Sequence, residues 1–109
     1  MGITKTNLFT AEQNQLATLA KAFAHPARLA ILQYLIKSNA CINSDLVEEL
    51  GLAQSTISQH LKELKYLGLI KGDFEGNSMC YCIDAKKWDE TKALFSELFE
   101  SYVNPAECC

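Results

Sequence analysis

A mainly helical domain carrying one β-hairpin near its end is what this 109-residue sequence predicts. Three observations predict it. Apolar residues recur at helical spacing as far as Leu67, then alternate singly from Leu69 to Ile83, then return to helical spacing. Breakers fall between the periodic stretches: Pro26, Gly51 and Gly68. The length suits one domain spanning residues 1–109, with residues 103–109 expected as a mobile tail. Hydrophobic residues make up 49% and charged residues 21%, a balance that excludes a chain too polar to build a core. No apolar run approaches the roughly 18 residues of a membrane span. Residues 1–15 lack the charged-then-apolar pattern of a secretory signal, so a cytoplasmic protein with no membrane partner is expected.

The first helix is expected over residues 10–24. Thr10 can cap it, Gln13 completes a capping box, and Leu16, Leu19, Ala20 and Phe23 form its stripe. His25-Pro26 interrupts it, because the residue before proline is pushed out of helical geometry. Proline suits the first turn of a second helix, residues 26–38, with Leu29, Leu32 and Ile36 as the expected inner stripe. A polar connection, 39–44, leads to a short helix, 45–50, with Ser44 as its cap and Gly51 as its stop. After a three-residue turn, residues 54–67 read as a fourth helix with Ile57, Leu61 and Leu64 inward and Gly68 as terminator. Residues 69–74 and 78–83 read as two strands joined by Glu75-Gly76-Asn77. On the second strand Met79, Tyr81 and Ile83 share one face, and Ser78, Cys80 and Cys82 the other. A last helix, 85–102, carries Trp88, Phe95, Leu98, Phe99 and Tyr102. That face is broader than one small core needs, so part of it is expected to meet a second copy of the chain.

A short helix, a glycine turn, a longer helix and a hairpin together spell a helix-turn-helix followed by a wing. The net charge of −3 hides an uneven distribution: residues 54–72 carry Lys62, Lys65 and Lys71 against Glu63 alone, while residues 73–109 are acidic. For nucleic acid the local patch matters, not the sum. At 100° per residue, Ser55, Gln59 and Lys62 face away from the inner stripe, with Thr56 and Ser58 on the flanks. Hydroxyls, an amide and an ammonium are what base edges and phosphates accept. The candidate DNA contacts are therefore Gln54, Ser55, Thr56, Ser58, Gln59, His60 and Lys62 on the helix, with Lys71 and Asn77 on the wing. His60 projects near the inner edge, where packing and phosphate contact compete, and His25 reads as a packed hinge residue. A nucleophile–base motif, a phosphate loop and a paired-carboxylate signature are all missing, so an enzyme is not expected.

The run from Ala24 to Leu32 (AHPARLAIL), the run from Ala53 to Leu64 (AQSTISQHLKEL) and Gly68-Leu69-Ile70 resemble the ArsR/SmtB family of winged-helix repressors. The resemblance extends from about Leu16 to Leu98. It implies a homodimer, held by the first and last helices, that binds double-stranded operator DNA and releases it when an inducer binds. It needs no cofactor to bind DNA. One departure is Ala53, where family members often carry a capping serine.

Five cysteines without a secretory signal point to thiol chemistry rather than a disulfide framework. The family's zinc-type site on the last helix uses histidines, and none follows His60. Its arsenite-type site uses a Cys-x-Cys pair; here Cys41 is present and Asn43 stands where the second cysteine would be. Arsenite, antimonite or another soft metal ion as inducer would then need Cys41 together with Cys108 and Cys109 of the tail, or alternatively Cys80 and Cys82. A thiol redox or persulfide switch on the same fold remains open beside it. From a different class, a thiol oxidoreductase or metallochaperone built on Cys80-Tyr81-Cys82 is the rival, against which stands the absence of a Cys-x-x-Cys motif.

Overall fold

A computed structural model describes residues 8–38, 46–75 and 78–106. Helix α1 is Ala11–Ala20, followed by a 3₁₀ turn at Lys21–Phe23; α2 is Pro26–Ser38, α3 Leu46–Leu50 and α4 Gln54–Tyr66. Strands β1, Ile70–Glu75, and β2, Ser78–Ile83, form an antiparallel two-stranded sheet, and α5, Ala85–Glu100, completes the order. This is a winged helix-turn-helix.

Local chemistry explains most boundaries. Thr10 Oγ1 accepts from the Gln13 amide, and the Gln13 side chain accepts from the Thr10 amide, both at 3.0 Å, which is the capping box the sequence implies. The expected 10–24 helix tightens to 3₁₀ in its last turn. Pro26 denies His25 helical geometry, and Arg28 Nη1 takes the Lys21 carbonyl at 2.8 Å. At the end of α4 the Gly68 amide reaches the Lys65 carbonyl at 3.0 Å and the Leu69 amide reaches Leu64 at 3.1 Å. That is a Schellman closure, and it needs the left-handed φ of +88° that Gly68 adopts. Leu64 and Leu69, both fully buried, supply the apolar contact that accompanies it.

The core gathers Ala22, Ile31, Leu32 and Leu35 with Ile57, Leu61 and Leu64 of α4 and with Leu69, Ile70 and Tyr81 of the wing. The stripe expected on α2 needs correction. Ile31, Leu32 and Leu35 are buried, whereas Leu29 and Ile36 are 40% and 51% exposed. The helix is apolar on several faces, and the docking of α4 selects the face that goes inward. The register also revises the hairpin: Glu75 pairs with Ser78, leaving Gly76-Asn77 as a two-residue connection outside the described residues. The last helix stops at Glu100, two residues short of the expected end, with Ser101 as its cap. The short helix is seen from Leu46; Ser44 and Asp45 lie outside the described residues.

Candidate nucleic-acid interface

Helix α4 is held by its buried side. Ile57, Leu61 and Leu64 are fully buried, and the opposite face is left to solvent. Gln54, Ser55, Thr56, Gln59 and Lys62 are exposed, while Ser58 and His60 are half-buried. Gln54 Nε2 donates to Ser58 Oγ at 3.4 Å, which draws two of the candidate readers together along the first turn. Lys71 is exposed on β1, and Asn77 lies outside the described residues. Ala53 occupies the N-cap of α4 in extended geometry and makes no side-chain hydrogen bond to the first turn. The amides of a helix's first turn are donors with the polarity that a phosphate oxygen would meet.

Two histidines and one arginine fix the other flank of α4. Arg28 Nε donates to His60 Nδ1 at 3.3 Å, and the Ala27 amide donates to His25 Nδ1 at 3.2 Å. The two imidazoles lie 4.5 Å apart, tilted by 56°. A ring nitrogen that accepts carries no proton, so neutral His60 holds its hydrogen on Nε2. Burial first, then the electrostatic interaction with His25, then the Arg28 guanidinium keep the His60 pKa below its ordinary value. His25 is exposed and caps α2, which corrects the expectation of a packed hinge residue. Periodicity gave no sign of this cluster; its one trace was the short spacing between His25 and Arg28, with His60 on the inner edge of α4.

The base of the wing is tied to α5. The Asp84 amide donates to the Leu69 carbonyl at 2.9 Å, and Asp84 Oδ1 accepts from the Lys87 amide at 3.1 Å. Asp84 therefore caps α5, a role readable from an aspartate just before a helical stretch. Cys80 and Cys82 sit half-buried on β2, neither in a disulfide. Cys41, Cys108 and Cys109 lie outside the described residues. Among the described residues no group of three or more His, Cys, Asp or Glu is placed to hold a metal ion, and no helix is long and apolar enough to cross a membrane.

Comparison with known proteins bears on this geometry. The family model described as "Bacterial regulatory protein, arsR family" matches residues 25–71, from His25 before α2 through α4 into β1. The HTH-type transcriptional regulator MJ1325 of Methanocaldococcus jannaschii, itself uncharacterized, is 37% identical over 82 residues, covering 75% of this chain and 92% of that protein. Against curated mycobacterial regulators it matches, the chain spans 60% of their length or less. Among solved structures, HlyU from Vibrio cholerae superposes with a TM-score of 0.65 at 29% identity, over 86% of this chain and 98% of that one. The NMR structure of the cadmium metal-sensor CMTR from Mycobacterium tuberculosis superposes with a TM-score of 0.53 at 31% identity, over 86% and 95%. A family match running from α2 through α4, and a relative matched almost end to end, place the chain in the arsR family of bacterial regulatory proteins.

Proposed function

We propose that this chain is a cytoplasmic, DNA-binding transcriptional repressor, acting as a single domain and as a homodimer on an inverted-repeat operator. One observation carries the reading. Helix α4 buries Ile57, Leu61 and Leu64 completely while presenting Ser55, Thr56, Gln59 and Lys62 to solvent, with a wing immediately after it. Small hydroxyls and an amide can read base edges in the major groove, and the lysine can neutralise a phosphate. Two copies related by a two-fold axis would place their α4 helices about one helical turn of DNA apart, or a multiple of that. The test is anisotropy of labelled promoter DNA across a salt series. Tight binding to an inverted repeat, weakening steeply with salt, is expected; equal affinity for random duplex would overturn the operator reading.

Release by a thiol-bound inducer is the second half of the proposal. The relative described as a cadmium metal-sensor supports a soft ion as the signal. Arsenite or antimonite wants three thiolates, and Cys41, Cys108 and Cys109 supply three. A release factor of 100 requires only about 2.7 kcal/mol of differential binding. Cys108→Ser with Cys109→Ser should abolish arsenite-driven release and leave DNA affinity without arsenite intact. An undiminished arsenite response in that variant would refute the tail site.

A further inference from the structure

We infer that Cys80 and Cys82 form a second, separate thiol site on the wing, one that takes a soft ion in linear two-coordination, of the Cu(I), Ag(I) or Hg(II) type. The two residues flank Tyr81, which is 4% exposed and belongs to the core. Strand alternation therefore puts both thiols together on the opposite face of β2, where each is half-buried. Two residues of strand separate their Cα atoms by roughly 6.7 Å. A disulfide needs Cβ atoms about 3.5–4.5 Å apart, so these thiols cannot pair with each other. Two metal–sulfur bonds of roughly 2.3 Å placed end to end span about 4.6 Å, which sulfurs leaning toward each other from this spacing can reach.

Coordination number follows from the neighbours. No third His, Cys, Asp or Glu completes a cluster among the described residues. The register sets Lys71 opposite Cys82 and Asp73 opposite Cys80. A carboxylate is a hard ligand that soft ions pass over for thiolate. The Lys71 ammonium opposite Cys82 has no lone pair to offer a metal ion. Binding is a simple exchange: two S–H bonds break, two metal–sulfur bonds form, and two protons leave to solvent, with no change of oxidation state. Ions that insist on three or four ligands, such as As(III) or Zn(II), are poorly served here, which separates this site from the one proposed for the tail.

The consequence for regulation rests on the reading of the chain as a DNA-binding protein. A chelate closed over Tyr81 stiffens β2, and β2 is packed through Tyr81 against the core that also seats α4. Gly72, opposite Tyr81, has φ +137°, and a Cβ there would collide with the Cys80 carbonyl, so the backbone around these thiols is already closely fitted. Ion binding should therefore lower operator affinity by about tenfold.

The experiment uses the full chain carrying Cys41→Ser, Cys108→Ser and Cys109→Ser, titrated with Ag(I) and separately with Hg(II). Native mass spectrometry should find one ion per chain, and X-ray absorption should find two sulfur ligands. Adding Cys80→Ser or Cys82→Ser, each also made as alanine with its melting curve checked, should weaken binding at least 100-fold. Unchanged affinity in those variants, or three sulfurs around the ion, would overturn the site. Two-sulfur binding with unaltered operator affinity would overturn the regulatory consequence alone. Failure of the ion-free protein to bind any operator would instead count against the DNA-binding reading.

Discussion

Gln59 and Lys62 both lie on the exposed face of α4, yet they belong to different physical tasks. An amide can satisfy an adenine edge with paired hydrogen bonds, so Gln59→Ala should cost about 1–3 kcal/mol at the cognate site and relax sequence preference there. An ammonium binds phosphate without regard to sequence. Lys62→Ala should weaken binding to cognate and random DNA alike and lower the salt slope by about one. Competition binding across a salt series separates the two outcomes; equal losses on both DNAs for both variants would refute the assignment. His60 makes a different prediction, on stability. Its Nδ1 accepts from Arg28 Nε, and its pKa is depressed by burial and by its electrostatic interaction with His25 and Arg28. The unfolded chain takes up this proton near pH 6.5, and the folded chain only at lower pH. The contribution of neutral His60 is thus complete above about pH 6.5 and is lost as pH falls through the folded-state pKa. Urea midpoints should fall on acidification below that pH, and His60→Gln should flatten the fall. An unchanged slope in the variant would show that another group carries it.

At the scale of the element, α4 is closed well at one end and poorly at the other. Gly68 and Leu69 satisfy its last carbonyls, whereas Ala53 at the N-cap has no side-chain acceptor to give its first turn. Ala53 already has the extended geometry of an N-cap, with φ −64° and ψ 147°. Ala53→Ser should therefore stabilise the fold by about 1 kcal/mol without moving the backbone. That is worth about 4 °C in melting temperature at this size. A thermal melt unchanged within error would mean that the first-turn amides already have an equivalent partner. Such strong local signals made α4, the α1 cap and the β2 bounds legible from residue order. The α2 face was not legible, because Leu29, Ile31, Leu32, Leu35 and Ile36 are all apolar and no local rule ranks them.

The whole molecule leaves apolar surface where α1 and α5 lie side by side. Phe23 meets Trp88 and Phe95 edge-on, with ring centroids 6.2 and 5.8 Å apart, and beyond them Leu98, Phe99, Tyr102 and Val103 are exposed. A groove of about 350 Å³ runs between the two helices past Leu16, Leu94 and Leu98. A two-fold interface would bury each of these side chains twice. At about 1.5–3 kcal/mol for a large apolar side chain, Phe99→Glu should lose at least 100-fold in dimer affinity. Light scattering at micromolar concentration should then report a monomer, with DNA affinity falling in step. A dimer of unchanged affinity would place the interface elsewhere.

Residue order alone determined the helix-turn-helix, the wing and the inner stripe of α4, because caps, glycines and hydrophobic periods act over a few neighbouring residues and need no partner. Only the tertiary structure decided which side of α2 is buried, that Arg28 and His60 meet across 32 residues of chain beside His25, and that the Tyr81 face of the wing is the one taken into the core. These depend on where distant elements dock. Docking is chosen by the fit of whole faces, such as the α4 stripe against α2, and that fit is a property of the pair that neither segment carries in its own sequence.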